Sequence, residues 1–228
     1  MAPLHENYGN STNTCPDFWQ MIWETNSKLI VMLCEVQSGF SGCSKYFPTE
    51  IGENVKHGHF DVKCTEANAT DVYIERSFEL TSDKEKNIQP RKIEHLQFLK
   101  WPNYGVPDAV GPISEFIQLV HKKAQELTTD PEFVIHCSGG IGRSGTFLTA
   151  YGIYSYYSNI TKLDDKEVKP LCLFEIVKSL RYQRHPWMVE GSHQYKMAYD
   201  ISVHLLNQII KIKEEAAKTH TDGNKKLF

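Results

Sequence analysis

No apolar run in the 228-residue chain approaches the length that crosses a bilayer. The densest, LIVMLC from Leu29 to Cys34, falls far short of the ~20 residues a spanning helix needs. The opening MAPLHENYGN lacks the apolar core of a secretion signal. Nothing in the sequence therefore points to a membrane. An excess of either charge is missing too: 25 Lys and Arg stand against 28 Asp and Glu, a net charge of −3. That balance gives no global reason to expect nucleic acid as a partner, and any basic patch must be local. Paired cysteines are also lacking. Cys15, Cys34, Cys43, Cys64, Cys137 and Cys172 are scattered with no CxxC among them, which argues against a disulfide framework and a clustered zinc site and for a reducing compartment, the cytoplasm. In such a compartment the sequons at Asn10, Asn68 and Asn159 go unused. No cofactor and no metal are expected. There is neither an internal repeat nor a linker, so the expectation is one α/β domain over 13–214, with flexible ends at 1–12 and 215–228.

What is present reads as alternating helices and strands. PDFWQMIWETNS spaces Phe18, Met21 and Ile22, with Trp19 and Trp23 four apart, which predicts a short amphipathic helix whose tryptophans are core. KLIVMLCE has the continuous apolar pattern of a strand buried on both faces, and TDVYIERSFEL alternates like a longer antiparallel strand. GPISEFIQLVHKKAQEL places Ile113, Phe116, Ile117, Val120, Ala124 and Leu127 on one helical stripe. EFVIHC then reads as a strand that enters a glycine-rich turn and another helix. EVKPLCLFEIVKSLRY and SHQYKMAYDISVHLLNQIIKIKEEAAK continue the helical pattern, and THTDGNKKLF is a polar, frayed end. His57-Gly58-His59 lacks a third ligand at a recognisable spacing and reads as a surface turn.

The chemistry concentrates in HCSGGIGRSGT. Between Cys137 and Arg143 lie Ser138, Gly139, Gly140, Ile141 and Gly142, in a strand, tight loop, helix context. Glycines let successive N–H groups turn inward as an anion nest, and the following helix adds the positive end of its dipole. A thiol in such surroundings is favoured as thiolate, which makes Cys137 a candidate nucleophile. The planar fork of Arg143 suits two phosphoryl oxygens. Ser144 is placed to hydrogen-bond the sulfur, and His136 to orient the loop through backbone contacts.

This stretch resembles the signature of cysteine-dependent protein-tyrosine phosphatases, and NTCPDFWQMIWETNSKLIVMLC, CSKYFP, WPNYGVP and QYKMAYD resemble further blocks of that family. The resemblance runs from about Asn13 to Leu206. It implies a twisted mixed central sheet flanked by helices, with the cysteine loop between a strand and a helix, and phosphotyrosine-containing proteins as partners. FWQMIWETNSKLIVMLCE is also similar to the short phosphatase-like proteins of wasp-associated polydnaviruses (bracoviruses).

The departures lie around the loop. The family's Trp-Pro-Asp, whose aspartic acid protonates the departing phenolate, is Trp101-Pro102-Asn103 here. The glutamine that orients the attacking water is replaced by Glu190, while Gln194 is kept. Glu190 is either a solvated carboxylate at a helix start or a group facing the nest, where it would repel phosphate unless protonated. Gly42 stands where the family has lysine, Gly139 where it has alanine, and the family's segment carrying the substrate-stacking tyrosine is expected to be missing. Three functions follow. One is a phosphatase-like protein with little or no turnover that occupies phosphotyrosine sites as a decoy, for which the polydnavirus resemblance implies interference with immune-cell adhesion and phagocytosis. Another is a slow phosphatase that borrows Asp108 or Glu190, and the third is an interaction scaffold without a phosphate ligand.

Overall fold

The computed structural model describes residues 13–36, 43–85, 88–102, 105–127, 132–160 and 169–224, with side chains followed to residue 216. Asn103, Tyr104 and both chain ends lie outside the described residues.

Six strands form one sheet: β1 (Leu29–Met32), β2 (Asn54–His57), β3 (Phe60–Ala69), β4 (Tyr73–Ser82), β5 (Arg91–Phe98) and β6 (Val134–His136). Their order is β2-β3-β4-β5-β1-β6. The sheet is mixed, antiparallel from β2 to β5 and parallel where β1 sits between β5 and β6. Five helices accompany it: α1 (Cys15–Glu24), α2 (Val110–Leu127), α3 (Gly142–Ser158), α4 (Leu173–Gln183) and α5 (Gly191–Asn224). The last of these runs past residue 214, where the sequence placed the end of the domain.

Successive strand side chains point to opposite faces, and helices cover both. On one face Trp19 of α1 meets Phe78 and Tyr46, and Phe47 lies against His95 and Phe78. On the other, Phe116 of α2 packs on Phe98 and Phe147, and α5 packs against α2 and α3. The wholly buried pattern of β1 follows from its central position between these layers. Trp19 is fully buried and donates its indole N–H to the Tyr46 carbonyl at 2.9 Å. Its truncation to alanine would cost about 3–5 kcal/mol.

The sequence reading assigned no strand to residues 54–69 or 91–98. β5 explains the difficulty: RKIEHLQF buries Glu94, His95 and Gln97 among its apolar residues. Glu94 and Gln97 find partners on β4 and at the end of β1, and His95 meets Tyr46 from the loop after β1. Ser77 donates to Glu94, Arg76 donates to Gln97, and Gln97 donates to the Cys34 carbonyl at 3.0 Å. The His57-Gly58-His59 stretch is the turn between β2 and β3, with Gly58 at φ +62. Among the described residues no helix is long and apolar enough to cross a membrane.

Because β5, β1 and β6 run parallel, their carboxyl ends emerge on one edge of the domain. Met32 pairs with both Gln97 and His136. Cys34, Trp101 and Cys137 are therefore delivered to the same end of the sheet, the usual place for a site in a parallel sheet.

Candidate active site

The turn from β6 into α3 holds Cys137. Gly140 adopts φ +67, a left-handed conformation that costs a side-chain-bearing residue but not glycine. This bends its N–H back onto the Cys137 sulfur at 3.2 Å. α3 begins at Gly142, so its first-turn amides and its dipole converge on the same concavity. Arg143 is buried at the start of α3, and its Nη1 has no hydrogen-bond partner among the described residues. A buried guanidinium nitrogen left open is costly without an anion to meet it. Ser144 Oγ is buried and likewise makes no hydrogen bond among the described residues; the sulfur takes its donor from the Gly140 backbone. A second guanidinium stands beside the loop: Arg184 Nη2 lies 3.6 Å from where a Cβ on Gly140 would be. The sequence reading did not single out Arg184.

Two glycines of α3 are fixed by close approach. A Cβ on Gly142 would lie 2.7 Å from Gln194 Oε1, and one on Gly145 would lie 2.6 Å from the Val189 nitrogen. Gln194 is buried behind the loop and accepts the Glu190 N–H at 2.9 Å, tying the start of α5 to α3. Val189 is held at φ +61, an unfavourable conformation for a β-branched residue. Arg181 pins it by donating to the carbonyls of Met188 at 3.0 Å and Val189 at 3.3 Å. Strain of this kind is of order 1–3 kcal/mol and persists where surrounding contacts over-determine it. Glu190 itself is exposed at the entry to α5.

Under the loop runs a buried chain of hydrogen bonds that the sequence reading also missed. Tyr46 Oη lies 2.7 Å from His136 Nε2 and 3.0 Å from His95 Nε2. His136 Nδ1 lies 3.1 Å from the Cys137 carbonyl, so Nδ1 carries a proton and donates it. With a neutral ring, Nε2 then accepts the Tyr46 O–H, and Tyr46 in turn accepts the His95 Nε2–H. This leaves His95 Nδ1 bare, in agreement with its having no partner among the described residues. Burial, then Arg76 and His136, hold the His95 ring well below the usual histidine range. Burial also pushes the Tyr46 phenol up. His136 thus faces the loop backbone, and the chain fixes the peptide of Cys137. The signal was in CSKYFP, whose tyrosine is Tyr46, yet nothing local announces a contact with histidines so distant in sequence.

Trp101 is buried, donating its indole N–H to the Gly105 carbonyl at 3.1 Å across the segment that contains Asn103. Beside it lies a cavity of about 540 Å³ lined by Glu35, Leu99, Trp101, Pro102, Pro107 and Asp108, among others. Asp108 is exposed there. Neither Cys137 nor Arg143 lines that cavity.

The protein-tyrosine phosphatase family model matches residues 8–204. Tyrosine-protein phosphatase 2 of Dictyostelium discoideum is 36% identical over 214 residues, covering 92% of this chain and 54% of that protein. Tyrosine-protein phosphatase corkscrew of Drosophila virilis is 35% identical over 210 residues, 90% of this chain and 26% of that protein. Receptor-type tyrosine-protein phosphatase F of Homo sapiens is 33% identical over 199 residues, 87% of this chain and 10% of that protein. The chain spans about half the length, or less, of these relatives.

Proposed function

The chain belongs to the protein-tyrosine phosphatase family, and on that premise we propose that it binds phosphotyrosine-containing proteins in the Cys137–Arg143 loop while releasing little phosphate. The observation that carries this reading is the buried Nη1 of Arg143 at the head of α3, unpartnered among the described residues, set against asparagine at the acid's position. Amides of 138–142 and the Arg143 fork hold the phosphoryl oxygens. The Cys137 thiolate attacks phosphorus, a sulfur–phosphorus bond forms, and the oxygen–phosphorus bond to the phenol breaks. The departing phenolate needs a proton, since its conjugate acid has a pKa of about 10. Asn103 is a carboxamide with no acidic proton to give. The Gly140 N–H, already directed at the sulfur, stabilises it as leaving group in the second step. Gln194 holds the Glu190 backbone behind the loop, and Glu190 occupies the place of the water-orienting group.

A second reading, slow but real phosphatase activity, draws support from the Gly140 N–H directed at the Cys137 sulfur. Asp108, in the cavity beside Trp101, is its candidate substitute acid. Steady-state and burst kinetics on an aryl phosphate with a good leaving group separate the two. Under the first reading the native chain is silent and Asn103→Asp gains turnover; native turnover that disappears in Cys137→Ser establishes the second. Failure of a phosphotyrosine peptide to bind, with no change on Arg143→Ala, would favour a scaffold that uses neither.

The likeness of FWQMIWETNSKLIVMLCE to polydnaviral proteins supports a setting in the cytoplasm of insect host cells, with immune-cell adhesion and phagocytosis as the processes affected. Expression in insect haemocytes tests it. Phagocytosis should fall with the native chain and recover with Arg143→Ala; equal suppression by both would remove the phosphate loop from the explanation.

A further inference from the structure

The end of β1 and the start of β6's loop bring together a second group of reactive side chains, apart from the anion nest. The sulfurs of Cys34 and Cys43 and a ring nitrogen of His136 all lie within 4.8 Å of one another, and all three residues are buried. We propose that Cys34, Cys43 and His136 form a binding site for one copper(I) ion.

The donor set selects the ion. Two thiolates and an imidazole are soft ligands that suit copper(I) or zinc, whereas calcium and magnesium demand oxygen. A structural zinc site closes with four protein ligands; three buried donors among the described residues match copper(I), which is stable in trigonal coordination.

The supporting shell is already built. A ligating histidine is oriented by a hydrogen bond on its other ring nitrogen. Here Nε2 meets the Tyr46 hydroxyl and Nδ1 meets the Cys137 carbonyl. Whichever nitrogen takes the ion, the other is held. If Nδ1 is the ligand, the chain of protons reverses: His136 Nε2–H donates to Tyr46 and Tyr46 O–H donates to His95 Nε2. The cysteines are fixed through their backbones. The Cys34 carbonyl accepts from Gln97, Cys43 bridges to Val36, and Leu33 N–H donates to the His136 carbonyl at 2.9 Å. Two thiolates and one copper(I) leave a net negative charge. The buried Arg76, which donates to Gln97 at 3.0 Å, stands behind that glutamine to offset it.

The test uses the full chain as Cys137→Ser with Cys172→Ser, which removes the nest thiol and the exposed one. Anaerobic titration with copper(I) bicinchoninate should transfer one equivalent to the protein and produce near-ultraviolet thiolate-to-copper charge-transfer absorption. Adding Cys34→Ser should weaken binding by more than the roughly 10- to 100-fold that loss of an outer-shell partner costs. No withdrawal of copper from the chelator overturns the proposal, and that outcome depends on no cysteine variant at the site itself. Copper that binds the native chain but not the Cys137→Ser, Cys172→Ser protein also overturns it, since the ion would then belong to the nest or the surface.

Discussion

The segments at the carboxyl ends of β6 and β5 face the same task with different completeness. After β6 lie groups that suit an anion: the left-handed Gly140, the head of α3 and the buried Nη1 of Arg143, unpartnered among the described residues. After β5, Trp101 keeps its buried indole and its bond to Gly105, but Asn103 stands where the proposed reaction needs a proton donor. Under the proposed function, binding and proton transfer fall to separate elements that meet where the parallel strands end together. One can be lost by a single side-chain change while the other, built largely from backbone, persists.

The most severe way to break this contrast is Asn103→Asp. If the nest is competent and only the acid is absent, turnover of an aryl phosphate with a poor leaving group should rise by about 10²–10⁴. The gain should shrink as the leaving group improves, because a good leaving group needs no proton. A gain independent of leaving group would place the defect elsewhere than in protonation.

Arg143→Ala attacks the other side. Charge-assisted hydrogen bonds contribute about 1.5–3 kcal/mol each, so affinity for a phosphotyrosine peptide should fall roughly 10- to 100-fold. Titration calorimetry on the native chain and the variant reads this directly. Asn103→Asp should leave that affinity nearly unchanged, and a comparable loss there would show that the two segments are not separable.

The two sides were not equally legible from sequence. The nest was, because its parts are contiguous: strand, glycines and arginine fall in HCSGGIGRSGT, where local chain geometry dictates their meeting. α1, β1, β4 and α2 were legible for the same reason, each having a clear apolar period. β5 was not, since its buried Glu94, His95 and Gln97 are tolerated only by partners on other elements. Tyr46 reaches His95 and His136 because β5 and β6 both flank β1, and Cys43 meets Cys34 beside the bridge between Val36 and Cys43. No spacing rule contains them.

Gly145→Ala sharpens the contrast by testing how the nest is held. The new Cβ would lie 2.6 Å from the Val189 backbone nitrogen, a group that cannot rotate away. Overpacking of this kind costs about 1–3 kcal/mol, to be read as a lower urea midpoint with an unchanged m-value. The same displacement would release Gln194 from Gly142, so phosphopeptide affinity should weaken along with stability. A stability loss with full affinity would mean that the α5 entry braces the fold and not the loop.

The smallest effect concerns the buried chain beneath the nest. His95 is held neutral in the folded protein, first by burial and then by Arg76 and His136. Unfolded, it takes a proton near the ordinary pKa of about 6.5. A ring whose folded pKa is depressed contributes stability that is complete above the unfolded value and is lost as the pH falls below it. Between about pH 6.5 and 5 that loss approaches 1.4 kcal/mol per pH unit. His95→Gln keeps an amide donor for Tyr46 but cannot titrate, so its stability should fall less steeply with acid. His121, also held low by burial, titrates in both proteins and cancels in the difference. Parallel curves for the two would show that His95 accepts its proton at Nδ1 inside the fold, and that burial does not hold the ring neutral.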